Sequence, residues 1–161
     1  MNHAPDYYWR DYTGEIPRDA VPGGLDINGR TTYVGQAYWN KWGILPGTIY
    51  PGNATIKLPL NGCANPSKIG AKILCSGDKN CFTWENAESS SLHLTTIGKH
   101  LVIGGFEDEK MLNFGRVMYQ GELIVGKVFG FETEKAKLYF VHGEKEFSVT
   151  SYQVLIYNRR T

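Results

Sequence analysis

Short runs of apolar residues, rarely more than six long, alternate with polar positions and are cut at close intervals by Gly, Pro, Asn and Asp. A period of two over four to eight residues, bounded by turn formers, is the pattern of strands with one buried face. It predicts strands over 7–10, 31–38, 54–60, 69–75, 81–85, 99–103, 115–119, 136–142 and 152–157. Lys-Leu-Tyr-Phe-Val-His (137–142) and Tyr-Gln-Val-Leu-Ile-Tyr (152–157) are too short for helices, and no segment sustains a 3.6-residue period. Helix content is therefore expected to be very low.

The same pattern is written twice. Val21-Pro22-Gly23-Gly24-Leu25-Asp26 returns as Val102-Ile103-Gly104-Gly105-Phe106-Glu107, an offset of 81 (107 minus 26). Tyr33-Val34-Gly35-Gln36-Ala37 returns as Asn113-Phe114-Gly115-Arg116-Val117, and Leu45-Pro46-Gly47-Thr48-Ile49 as Ile124-Val125-Gly126-Lys127-Val128. Leu58-Pro59-Leu60-Asn61-Gly62 is answered by Tyr139-Phe140-Val141-His142-Gly143. Four matched blocks in one order divide the chain into a first copy, 1–77, and a second, 78–161, which share one structural unit. Glycines at matched positions supply positive φ or close backbone approach, and the doubled glycines before Asp26 and Glu107 can equally serve a turn or bulge or make room for a partner.

Composition narrows the class. Nineteen glycines and 13% aromatic residues suit an all-β chain of many short strands. Seventeen basic against 16 acidic residues leave a formal charge of +1 with no basic stripe, so nucleic acid is not expected as a partner. No stretch approaches the ~20 apolar residues of a membrane span, so membrane insertion is not expected either. The opening residues lack a charged region followed by an apolar run. A cytoplasmic location is expected, with vesicular or unconventional release as a route to the outside. Cys63, Cys75 and Cys81 lack the spacing of a disulfide framework or a zinc site and read as reduced structural thiols.

Read in full, Gly14-Glu15-Ile16-Pro17 through Val21-Pro22-Gly23-Gly24, then Tyr33-Val34-Gly35-Gln36-Ala37 and Leu45-Pro46-Gly47, resembles the DM-nine repeat. The second copy keeps Gly104-Gly105, Gly115-Arg116, Gly126-Lys127 and Tyr152-Gln153-Val154-Leu155, but lacks the Ile-Pro opening and carries 85–95 in a different style. The resemblance implies two tandem repeats forming one pseudo-twofold antiparallel β-sheet domain, frequently a homodimer. It also implies a lectin that recognises mannose-type glycans on microbial or host surfaces, in pathogen recognition or innate immunity. By the same resemblance, the acid after Gly-Gly and the lysine of a Pro-Gly-Lys turn are the hydroxyl partners of the sugar. Those positions are Asp26 in the first copy and Glu107 with Lys127 in the second, while Thr48 stands where the first-copy lysine is expected.

Sugar hydroxyls both donate and accept, so a site needs carboxylates beside a lysine or amide. Glu122 lies close before Lys127, and Gly143-Glu144-Lys145-Glu146 adds Glu144 and Glu146, where the first copy has the uncharged Gly62-Cys63-Ala64-Asn65. Acids and lysine thus gather in the second copy, with Asp26 and Lys127 expected as a mixed pair, and the two halves should bind unequally. Trp39 and Trp42 can either stack on a sugar or cap a core or dimer contact. The alternative reading is a protein-interaction module that keeps the fold without the sugar, motivated by Thr48. No enzyme is expected, because His3, His93, His100 and His142 fit no nucleophile or metal pattern, and neither a metal nor an organic cofactor is implied. Gly121 to Lys127 satisfies a phosphate-loop spacing, but Val128 replaces the required hydroxyl residue and no helix follows.

Overall fold

A computed structural model describes residues 5–158; His3 lies outside them. The first copy forms β1 (Tyr8–Asp11), β2 (Pro22–Leu25), β3 (Thr31–Trp39), β4 (Gly43–Ile49), β5 (Ile56–Leu60), β6 (Cys63–Ser67) and β7 (Lys72–Cys75). The second forms β8 (Phe82–Glu88), β9 (His100–Leu101), β10 (Ile103–Glu107), β11 (Lys110–Tyr119), β12 (Glu122–Val128), β13 (Leu138–His142), β14 (Lys145–Val149) and β15 (Ser151–Tyr157). A one-turn helix, α1 (Leu92–Thr95), sits in the segment without a first-copy counterpart, and a 3-10 turn spans Lys79–Cys81. The fold is all-β and antiparallel.

The copies are interlocked. β2, β3 and β4 pair in sequence, as do β10, β11 and β12. β2 then pairs with β12 of the other copy through Leu25 and Leu123, and β10 pairs with β4 through Phe106 and Ile44. These two contacts are equivalent under the repeat, and together they close a ring of six strands, three from each copy. Closure removes the free edges that an open three-stranded sheet would expose. Reciprocal side-chain bonds reinforce the seams: Gln36 Nε2 donates to the Gly104 carbonyl at 2.8 Å, and Arg116 Nη1 donates to the Gly23 carbonyl at 2.8 Å.

Around the ring, β7 adds to β3 and carries β1, while β15 adds to β11 and carries β8. Hairpins β5–β6 and β13–β14 meet where Cys63 pairs with Lys145, each the first residue of the second strand of its hairpin. Each copy has a core of its own, and a third cluster is shared: Val21 with Val102, Val34 with Phe114, and Leu74 with Leu155, all buried matched pairs. Removing such apolar surface from water, at roughly 25 cal/mol per Å², favours the two copies together over either alone.

Three expectations need correction. Leu45-Pro46-Gly47 and Val125-Gly126-Lys127 are not turns but the middles of β4 and β12, where Gly47 faces Gly35 and Gly126 faces Gly115 across the ladder. The paired glycines leave space for side chains from the crossing hairpins: a methyl on Gly47 would lie 2.6 Å from Ile56 Cγ2. Second, the doubled glycines do make room for a partner, but that partner is the backbone of the other copy. Third, Cys63 is exposed, so only Cys75 and Cys81 are core thiols. Trp39 and Trp42 pack against the first-copy core.

Burial, then the neighbouring Asp19 charge, pushes the Cys75 thiol up to about 11, leaving it almost entirely protonated near neutrality, and the thiolate is the nucleophile. A colourless-to-yellow disulfide reagent at pH 8 should therefore titrate one thiol rapidly in the folded protein, Cys63, and three after denaturation. A Cys63→Ser variant that still reacts rapidly would contradict the assignment.

Candidate functional site

Strand alternation places residues 48 and 50, and equally 127 and 129, on one face after each glycine pair. On that face the two copies differ. In the second, the Lys127 ammonium donates to the Pro59 carbonyl at 2.5 Å, bonds Glu107, and lies 3.4 Å from Glu146 Oε2. The rings of Phe129 and Tyr139 flank it at 5.6 and 5.7 Å. The lysine side chain is only 3% exposed, Glu107 14% and Glu146 11%. Glu146 Oε1 accepts the Gly62 amide at 3.2 Å. Charges so withdrawn from water persist only when paired and hydrogen-bonded, and this lysine is spent on pairing within the chain.

In the first copy Thr48 takes the place of Lys127. Its hydroxyl donates to the Val125 carbonyl at 2.9 Å and accepts the Val125 amide at 3.0 Å, tying β4 to β12. The short side chain leaves a cavity of about 190 Å³, lined by Tyr50, Asn53, Lys57, Glu122, Ile124 and His142 among others. Glu122 is its polar centre: Oε1 accepts the Tyr50 hydroxyl at 3.3 Å and Oε2 stands 3.7 Å from His142 Nε2. Burial, followed by the charge of Glu122, raises the Tyr50 phenol well above its ordinary value, so it remains a donor. Lys57 at the rim pairs with Glu144 at 3.1 Å.

The seven residues expected at a sugar site therefore fall into separate groups. Glu107, Lys127 and Glu146 form the buried triad, and Thr48 and Glu122 line the open cavity. Glu144 is an exposed rim acid. Asp26 Oδ1 accepts the amides of Asn28 and Arg30, each at 2.9 Å, as the organiser of its own turn. The expected pairing of Asp26 with Lys127 is not formed, because Glu107 and Glu146 hold the ammonium. Sequence reasoning missed Tyr50, Asn53 and Lys57 as site residues and set His142 aside because it fits no nucleophile or metal pattern. The available signal was the alternation continuing past Thr48 to Tyr50, hidden while the Pro-Gly block was read as a turn.

What the fold and these two positions define is an all-β domain of two interlocked copies, one position filled by its own lysine and the other open. No family model matches the chain, and no curated protein matches it. Among solved structures, it is similar to the nematode sperm cell motility protein MFP2B, with a TM-score of 0.67 and 15% identity over 98% of this chain and 47% of that one. The chain thus spans about half the length of that protein, and at this identity the similarity concerns the fold.

Proposed function

We propose that this chain is a non-enzymatic carbohydrate-binding protein that takes a mannose-type sugar in the first-copy cavity, with a role in recognising mannose-bearing glycans. The observation that carries this reading is the open cavity itself, at a position whose counterpart is closed by Lys127. Its lining combines a carboxylate, a phenol, an amide and an imidazole with the apolar Ile124 and Val125. That mixture suits a ring with hydroxyls on its rim and C–H groups on its face. The DM-nine-type resemblance of the repeated blocks supports the same class.

A hexose has about a dozen heavy atoms, and at ~0.3 kcal/mol each the affinity would lie near the millimolar range. Recognition of a surface would then depend on several copies acting together, which suits the homodimer implied by the resemblance. Titrating methyl mannoside into the ¹⁵N-labelled protein should shift the amides of Tyr50, Glu122 and His142. Thr48→Lys, which fills the cavity from within, should abolish those shifts while keeping the dispersed spectrum of the fold. Shifts confined to other surfaces, or unchanged in Thr48→Lys, would sink the assignment.

One observation favours the second reading, an interaction module on the same fold. Thr48 directs its hydroxyl to backbone partners, and an Asp26 carboxylate oxygen does the same. Both are positions to which the resemblance assigns sugar contacts. Under that reading no mannoside perturbs the cavity at any concentration.

A further inference from the structure

The second copy contains an ammonium site built by the protein for itself. Lys127 Nζ is held by two carboxylates and a carbonyl, with two aromatic faces beside it. At the matched place in the first copy the ammonium is missing and the space is open. Tyr50 replaces Phe129 there, and Glu122, which has only Gly43 as its counterpart in the first copy, brings a carboxylate to the cavity.

That carboxylate is under-compensated. Its side chain is 18% exposed, yet its contacts are a phenol at 3.3 Å and an imidazole nitrogen at 3.7 Å. Among the described residues no lysine or arginine pairs with it, and Lys57, at the cavity rim, pairs its ammonium with the exposed Glu144. A carboxylate largely withdrawn from water is stabilised most by a cation that also donates hydrogen bonds.

We infer that the sugar the cavity prefers carries a protonated amine, a 2-amino-2-deoxyhexose, whose ammonium meets Glu122 and the Tyr50 ring while its hydroxyls meet the remaining polar lining. This rests on the carbohydrate reading above and narrows it. Thr48→Lys has a further meaning here, because it supplies the missing ammonium from the chain and should exclude the amino sugar.

The test is calorimetry and amide-shift titration of the full chain with four probes: mannosamine, N-acetylmannosamine, methyl mannoside and ethanolamine. Mannosamine should bind about tenfold more tightly than methyl mannoside, since charge-assisted hydrogen bonds are roughly twice as strong as neutral ones. N-acetylmannosamine, which lacks the charge, should lose that advantage, and ethanolamine, which lacks the ring, should bind more weakly than mannosamine. In Glu122→Gln the ratio of mannosamine to mannoside affinity should fall to about one, whereas Glu88→Gln, which neutralises an exposed acid on β8 outside the cavity lining, should preserve the preference. Equal affinity of the charged and neutral sugars in the unmodified protein overturns the inference and leaves the carbohydrate reading standing. Ethanolamine binding as tightly as mannosamine overturns the assignment of a sugar, and no binding by any probe overturns both.

Discussion

Lys127→Ala should lower the unfolding free energy by about 3–5 kcal/mol, the loss expected when one partner of a buried ion pair is removed and the other charge is stranded. Two carboxylates are stranded here. Glu107 and Glu146 are both mostly out of water, and the Glu146 Oε2 atom has no hydrogen-bond donor apart from its 3.4 Å approach to the lysine. The Pro59 carbonyl also loses its 2.5 Å donor, and that contact joins β5 of the first copy to β12 of the second. The measurement is the denaturant midpoint at constant m-value, which reports stability without a change in the surface exposed. Replacing the triad together, Lys127→Met with Glu107→Gln and Glu146→Gln, should recover most of the loss, because well-packed neutral groups replace buried charges at little cost. A loss below about 1 kcal/mol in Lys127→Ala would place the lysine among ordinary surface ion pairs and end the account of a self-filled site.

Gly24→Ala and Gly105→Ala should each cost about 3 kcal/mol or prevent folding, at or beyond the upper end of what overpacking usually exacts. A methyl on Gly24 would lie 1.9 Å from the Leu123 carbonyl oxygen, and one on Gly105 would lie 2.1 Å from that of Ile44. Both obstacles are backbone, which cannot rotate aside as a side chain can, and both occur at the seams where β2 meets β12 and β10 meets β4. Gly105 has the further cost of a φ of +144°, whereas Gly24 is not in the left-handed region, so its loss is steric. Gly29→Ala is the control: its φ is +76° and nothing lies within 4 Å of the added methyl, so it should cost only the ~1–2 kcal/mol of the left-handed backbone. Chemical denaturation of the three variants ranks them. If Gly29→Ala is as damaging as Gly24→Ala, the close approach of the strands does not decide stability.

The duplication, the strand-rich class and the importance of the doubled glycines were legible because they depend on local chemistry repeated at a fixed offset. Alternation marks a strand wherever one face is buried, and a glycine marks a place where a side chain is not tolerated. The same local logic failed at Leu45-Pro46-Gly47. Proline and glycine ordinarily punctuate a chain, but here Pro46 lies opposite Gln36 within the β3–β4 ladder and Gly47 lies under the crossing hairpin. A period-two reading carried through this block would have placed Thr48 and Tyr50 on one face and brought the cavity closer to view.

Which position is open could not be read in this way. By residue type alone the second copy, with Lys127, Glu107, Glu122, Glu144 and Glu146, is the richer candidate, and Thr48 marks the first as poorer. Folding brings Glu107 from the end of β10, Glu146 from β14 and the Pro59 carbonyl from β5 onto one ammonium, while Glu122 projects into the first-copy cavity. The sequence by itself determined two β copies, their order and the residue types each can offer. Only the tertiary structure decided which of those charges neutralise one another, because charge pairing depends on distances between segments far apart in the chain. Short Thr48 leaves the volume that long Lys127 takes up in the other copy, and that difference in reach separates an open cavity from a closed ion pair.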